Sequence, residues 1–336
     1  MSDPRRIIVA PDSFKGSFAA AEVATAIAEG VALAGLAVEK YALADGGEGT
    51  MAAIREARGG EVCVVQARDP LGRPVRAEFL MLDGGTAVLD CAAASGLPLV
   101  APELRDALGA DSAGTGDLIV AAIDAGAKRV MVAAGGSAST DGGRGAIEAI
   151  EAAGGLKGAR LTVLCDVQTP FEDAASVFAP QKGATAAQVA LLGERMAVQA
   201  RALPRDPRGR PMTGAAGGLA GGLWATFDAK LTPGAQFVLA TVGLPKRLAA
   251  ARAAITGEGR LDEQSLQGKL VGALASLCAR VPLPLHAVVG EDALGATRAG
   301  RAGITSVREA GTTQALVEAG ARLGEAIAAS RPRADR

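Results

Sequence analysis

Short runs of branched aliphatic residues recur along the chain, and most are separated by longer alanine-rich stretches of helical length. Such alternation is the pattern of parallel strands covered by helices, because parallel neighbours need a long crossover. Strands are predicted in "RIIVAPD", "EKYALADGG", "RVMVAAGG", "LTVLCDV", "RAAITGEG", "PLHAVVGE" and "ITSVREA", and helices over 19–34, 48–57, 116–125, 186–202, 265–280 and 313–329. Aromatic residues are only 3% of the chain, so small side chains must pack helices closely on sheets. The predicted class is therefore α/β.

One region breaks the alternation. Residues 61–91, "EVCVVQARDPLGRPVRAEFLMLDGGTAVLDC", hold three strand-like runs separated by the turn signals "DPLGRP" and "DGG". No helix fits between them, so the region reads as an antiparallel meander. An inserted mixed-sheet α/β domain is expected over 61–243, with a discontinuous parallel-sheet domain over 1–60 and 244–336. The stretch 202–222, rich in Pro, Arg and Gly without periodicity, reads as a loop that either orders over a ligand or simply connects.

Bulk properties exclude several function classes. With 35 basic and 36 acidic residues there is no general positive field for nucleic acid or an anionic membrane. The N-terminus has four apolar residues before Pro11, too few for a signal-peptide core or a membrane span, so a cytoplasmic protein is expected. Cys63, Cys91, Cys165 and Cys278 form no C-x-x-C pair and read as isolated core thiols. The single histidine, His286, lies in an apolar run and reads as a satisfied strand residue, which removes His-rich metal chemistry.

The polar and glycine-rich clusters fall just after predicted strands, where open parallel sheets bind ligands. "PDSFKGS" offers Asp12, Ser13 and Lys15, and "DGGEGT" offers Asp45, with Glu48 placed to suit a helix start. "GGSASTDGG" offers Gly135, Gly136, Ser137, Asp141 and Gly142 before a helix, a generic phosphate-binding arrangement. Asp166 leaves an apolar strand, and "GEGRLDEQS" brings Glu258, Arg260 and Asp262. Acids that can hold Mg2+ or take a hydroxyl proton, together with lysine and glycine loops for phosphate, point to phosphoryl transfer. Neither G-x-x-x-x-G-K-[ST] nor a G-x-G-x-x-G after the first strand is present, which disfavours P-loop and ordinary dinucleotide folds.

Nine motifs in order, "PDSFKGS", "DGGEGT", "AAASGL", "GTGDLI", "GGSASTDGG", "CDV", "PQKGA", "GAAGG" and "TGEGRLDEQSLQGK", resemble the bacterial class I glycerate kinase family over essentially the whole chain. The resemblance implies two α/β domains, one flavodoxin-like and one similar to restriction-endonuclease folds, with the active site in a cleft between them. It implies ATP- and Mg2+-dependent phosphorylation of D-glycerate, most often at the 2-hydroxyl, by a chain compatible with a homo-oligomer. Asp45, Asp166 and Lys15 are then candidate catalytic residues, with Asp45 preferred as base and Asp45 or Asp166 on the metal. Asp12, Ser13, Lys15, Arg260 and Asp262 become substrate contacts, and Gly135, Gly136, Ser137, Asp141, Gly142 and Glu258 nucleotide contacts. The chain departs from the family pattern at Ser139–Thr140, where Thr-Asn is usual, and at Gln168–Thr169, where Thr-Asn precedes the proline. Phosphorylation at the 3-hydroxyl, an NAD-dependent oxidoreductase and a hydroxy-acid binding protein are the alternatives.

Overall fold

The computed structural model describes residues 6–14 and 16–330. The chain divides into two compact units, one formed by Met1–Asp45 with Val238–Arg336 and one by Gly46–Phe237. Sequence reasoning changes domain at residues 60 and 244; here the division falls at Asp45 and Val238. The physical reason is the helix Thr50–Arg58, whose Ile54 is buried against Leu80 and Val88 of the mixed sheet.

Among the described residues eleven strands form two sheets. In chain order they are β1 (Ile7–Val9), β2 (Val38–Lys40), β3 (Glu61–Arg68), β4 (Pro74–Leu82), β5 (Thr86–Asp90), β6 (Arg129–Ala134), β7 (Arg160–Cys165), β8 (Lys230–Pro233), β9 (Ala253–Leu261), β10 (Leu285–Asp292) and β11 (Ile304–Glu309). The first unit has an all-parallel sheet in the order β11-β10-β9-β1-β2. Read from β2 and counted within the unit, this is 2-1-3-4-5, the flavodoxin-like order. The second unit has the order β3-β4-β5-β6-β7-β8, antiparallel from β3 to β5 and parallel from β5 to β8, so the meander adds an antiparallel edge to a parallel sheet.

Helices occur at Ala186–Ala202 and Thr313–Ala329, as periodicity predicts. The run "EKYALADGG" gives only a three-residue strand, although past Lys40 the chain stays beside the β1 segment, with Tyr41 N donating to Val9 O at 2.8 Å and Leu43 N to Pro11 O at 3.1 Å. The predicted helix over 265–280 is split into a short turn, Gln264–Leu266, and the helix Leu270–Arg280. His286 is buried on β10 with Nδ1 2.8 Å from Ser306 Oγ, the satisfied strand residue expected. Cys91, Cys165 and Cys278 are buried free thiols and Cys63 is half-buried. Among the described residues no helix is long and apolar enough to cross a membrane.

The loop at 202–218 is pinned by cation–π contacts. The Arg205 and Arg210 guanidinium carbons lie 4.3 and 4.7 Å from the Trp224 ring centroid. Its Gly217 carbonyl accepts from Gly142 N at 3.0 Å, so this segment frames the glycine loop that follows β6.

In the first unit the helices Ala20–Leu33 and Thr313–Ala329 meet backbone to backbone. A Cβ on Gly30 would lie 2.0 Å from the Val317 carbonyl oxygen, and one on Gly320 2.3 Å from that of Ile27. Glycine to alanine inside a helix ordinarily gains about 1 kcal/mol. Here the collision outweighs that gain, so Gly30→Ala and Gly320→Ala are expected to lower the unfolding free energy by roughly 1–3 kcal/mol, read as a lower urea midpoint; an unchanged or higher midpoint would contradict this packing.

Candidate active site

The first unit builds a cavity at the carboxyl ends of its central strands. Past the end of β1 the backbone stays beside β9, with Ala10 N donating to Ile255 O and Asp12 N to Gly257 O, both at 2.8 Å. The strand order reverses between β1 and β9, and at such a switch point the flanking loops diverge and leave a crevice. A cavity of about 370 Å3 opens there. Asp12, Ser13, Asp45, Glu258, Arg260 and Asp262, expected as site residues from sequence, all line it. Lys15 lies outside the described residues.

These groups differ in how they are held. Asp12 Oδ1 accepts from Ser13 N at 2.7 Å. Asp262 Oδ1 accepts from Gln264 N at 2.9 Å and Ser265 N at 3.2 Å, so it shapes the turn after β9 as well as facing the cavity. Arg260 donates to Glu291 at 3.0 Å and lies 3.9 Å from Asp262, which engages much of its charge. Burial pushes the Glu258 carboxyl up to about 7; the Ser265 hydroxyl and Lys269 pull it down, while Asp262 and Asp45 push it further up. Glu258 Oε1 is a buried oxygen with no hydrogen-bond partner. Lys269, just before the helix Leu270–Arg280, also lines the cavity. It has no ion pair among the described residues. Sequence reasoning did not single it out, although "LQGK" was within a quoted motif.

The second unit collects polar groups at the carboxyl ends of β5, β6 and β7. Gly135 follows β6 and packs so tightly that a Cβ there would lie 2.6 Å from Gly47 Cα and 3.1 Å from Asp166 Oδ2. Asp166, at the end of β7, is therefore beside the glycine loop. Gly136 has φ +71° and its carbonyl accepts from Leu97 N at 2.9 Å, while Ala138 N donates to Ser95 O at 2.8 Å. Lys182 reaches the same loop. It is buried, donates to Ser137 Oγ at 3.0 Å and donates to the Ser139 carbonyl.

The start of the helix Arg144–Ala152 does not offer open N–H groups to a phosphate, because Asp141 already fills that place. Its carboxylate accepts from Gly143 N at 3.1 Å, Gly145 N at 3.0 Å, Ser112 N at 3.0 Å and Ser112 Oγ at 2.8 Å. Gly142 is likewise engaged, donating to Gly217 O and accepting from Gln199 Nε2 at 3.0 Å. Asp141 and Gly142 thus frame the loop. Asp90 repeats the device at the end of β5, accepting from Gly49 N at 2.8 Å and Met51 N at 3.0 Å to hold the start of the helix Thr50–Arg58. Burial pushes the Asp90 carboxyl up to about 7, with Glu48 adding to the shift and the two N–H donors opposing it. Among the described residues no three His, Cys, Asp or Glu side chains cluster to hold a metal.

An acid-lined crevice at the switch point of a flavodoxin-like sheet, joined in one chain to a mixed sheet bearing a lysine-braced glycine loop, defines a two-unit α/β small-molecule enzyme. The chain belongs to the glycerate kinase family, whose sequence profile matches residues 7–154 and 150–330. It is 38% identical to glycerate kinase of Bacillus subtilis strain 168, over 85% of each chain. It is 35% identical to glycerate 2-kinase of Escherichia coli K12, again over 85% of each. A crystal structure of a proposed glycerate kinase 2 from Salmonella typhimurium LT2 superposes with a TM-score of 0.76 at 32% identity, covering 97% of both chains. The chain is a kinase of this family.

The role of Asp141 is testable without substrate. Hydrogen bonds to a charged group contribute about 1.5–3 kcal/mol, so Asp141→Ala should lower the unfolding free energy by at least roughly that amount. Equilibrium urea unfolding gives the measurement, and a loss under about 0.5 kcal/mol would return Asp141 to the pool of ligand contacts.

Proposed function

We propose that this chain transfers the γ-phosphoryl group of ATP to the 2-hydroxyl of D-glycerate, giving 2-phosphoglycerate. The observation that carries the reading is the cavity-lining Glu258, a largely buried carboxyl with one partnerless oxygen beside Asp45 and Lys269. At about 370 Å3 the cavity lies near the low end of small-ligand sites, about 300–1,000 Å3. That suits a three-carbon acid. Phosphorylation at position 2 is supported by the likeness to the Escherichia coli glycerate 2-kinase.

The glycerate carboxylate pairs with Lys269, whose charge is not engaged by another side chain in an ion pair, and Lys15 is assigned to the same task from sequence. Arg260 is the weaker partner because Glu291 and Asp262 hold it. Asp12 and Ser13 bound the substrate, and Asp45 orients the accepting hydroxyl. Sequence reasoning prefers Asp45 as the base and gives Glu258 to the nucleotide. The geometry favours Glu258 for the proton, since its Oε1 is buried without a donor and its proton affinity is near that of a base working at neutral pH. As the hydroxyl oxygen bonds to phosphorus, its proton passes to Glu258, and the bond from the γ-phosphorus to the bridging oxygen breaks to release ADP.

The nucleotide phosphates are assigned to Gly135, Gly136 and Ser137 of the loop after β6. Mg2+ fits the donors present: it is typically held by one or two carboxylates plus substrate phosphates, so no protein cluster of three ligands is required. Asp166 is the assigned carboxylate and Asp45 the alternative. Bound there, the metal would neutralise phosphate charge.

Phosphorus NMR of the product from D-glycerate and Mg-ATP should show 2-phosphoglycerate; 3-phosphoglycerate overturns the position, and no phosphoglycerate overturns the reaction. Glu258→Gln should lower turnover by about a hundredfold or more. Because the carboxylate is the working form, wild-type kcat/KM for glycerate should rise with pH through about 7 and level above it. A Glu258→Gln enzyme with near-normal turnover removes this residue from proton transfer.

A further inference from the structure

Lys182 is the last residue of the short turn Pro180–Lys182 and is only 3% exposed. Its ammonium has two acceptors, Ser137 Oγ at 3.0 Å and the Ser139 carbonyl. Among the described residues it makes no ion pair; Cys91, Asp141 and Asp166 act on it only through charge at longer range. A buried cation without a close counter-charge is costly in a fold. An anion at the same loop would remove that cost.

The direction of the hydrogen bond carries the inference. An ammonium can only donate, so Ser137 Oγ accepts from Lys182 and the one hydroxyl proton of Ser137 is left for a different acceptor. Two residues on, Ser139 Oγ is buried and has no hydrogen-bond partner among the described residues. A hydroxyl that accepts from the ammonium and must donate elsewhere, and a buried unpartnered hydroxyl on the residue whose carbonyl takes the ammonium's other bond, are chemistry for an oxyanion. We propose that Lys182 is a positioning residue for the polyphosphate of the nucleotide: it fixes Ser137 as a donor to a phosphate oxygen and makes the loop after β6 electropositive. This rests on the reading of the chain as an ATP-using kinase.

The arrangement depends on the charge of Lys182. Burial pushes the ammonium down to about 8, while Cys91, Asp141 and Asp166 raise it. Above that pH the neutral amine can accept from Ser137, which turns the hydroxyl proton inward and removes the donor. Stability changes the other way. The unfolded chain, with an ordinary lysine, binds the proton to higher pH than the fold does, so deprotonation of Lys182 raises stability as pH increases. A loss of nucleotide affinity above about pH 8 is then separable from unfolding.

The test is calorimetry of Mg-ADP binding and steady-state kinetics with ATP, from about pH 7 to about pH 10, on wild type, Lys182→Met, Lys182→Arg and Ser137→Ala, with thermal melts as a folding control. Lys182→Met should weaken Mg-ADP binding and raise the KM for ATP by about tenfold or more, the scale of one charge-assisted hydrogen bond, with the KM for glycerate unchanged. Lys182→Arg should keep Mg-ADP affinity within about threefold and abolish the alkaline decline of wild type. Equal Mg-ADP affinity in wild type and Lys182→Met, or the same alkaline decline in Lys182→Arg, overturns the proposal, as does a wild type that binds no Mg-ADP. Should Lys182→Met fail to fold, the pH profile of Lys182→Arg and the lost affinity of Ser137→Ala decide instead. The reaction itself is judged separately on wild type: weakened Mg-ADP binding in Lys182→Met without phosphoglycerate from wild type would retire the assigned reaction and keep the positioning role.

Discussion

An acid at the carboxyl end of a buried parallel strand must be given a hydrogen bond, a charge or a ligand, and the organisation of this chain follows from how each acid meets that demand. The strand interior leaves no water to solvate a carboxylate, and an unsatisfied one is expensive. Asp90 and Asp141 are satisfied internally, each by N–H groups at a helix start, and each thereby fixes where a helix begins. Glu258 is the contrasting case, with an oxygen left unpartnered beside a cavity. An acid here is structural where helix donors close over it, and Glu258 has no such donors on Oε1 among the described residues.

Glycine does the complementary work of bringing backbones close. Gly46 leaves no room for a Cβ, which would meet Gly234 Cα at 2.4 Å, and Gly135 does the same against Gly47. These contacts draw the chain ends of the second unit together at the edge where Asp166 and Lys182 gather. A side chain at Gly135 would collide with Gly47 and crowd the Asp166 carboxylate.

Much of the fold was legible because its signals are local. Hydrophobic period fixes the helices Ala186–Ala202 and Thr313–Ala329, and two turn signals without helical spacing between them identify the meander. Six site residues from three separated segments do converge on one cavity, since strand-end loops in a parallel sheet share an edge. What stayed hidden depends on partners distant in sequence. Asp141 reads as part of a phosphate loop until Ser112, 29 residues earlier, is found on its carboxylate. Lys182 stands in the sequence only as part of the motif "PQKGA", because its burial against Ser137 and Ser139 is a property of tertiary structure alone. Lys269 was overlooked for a related reason: its value comes from Arg260 being engaged elsewhere, and composition cannot reveal which of two cations is already paired.

The two sets of groups also differ in the chemistry they suit. The first unit's cavity holds several acids and, among the described residues, one cation outside any ion pair, an environment that raises a carboxyl's proton affinity. The loop after β6 holds a buried ammonium whose hydrogen-bond contacts are neutral oxygens, with the Asp166 carboxylate beside the same loop. Phosphoryl transfer in general needs one environment that takes a proton from a hydroxyl and one that tolerates accumulating negative charge.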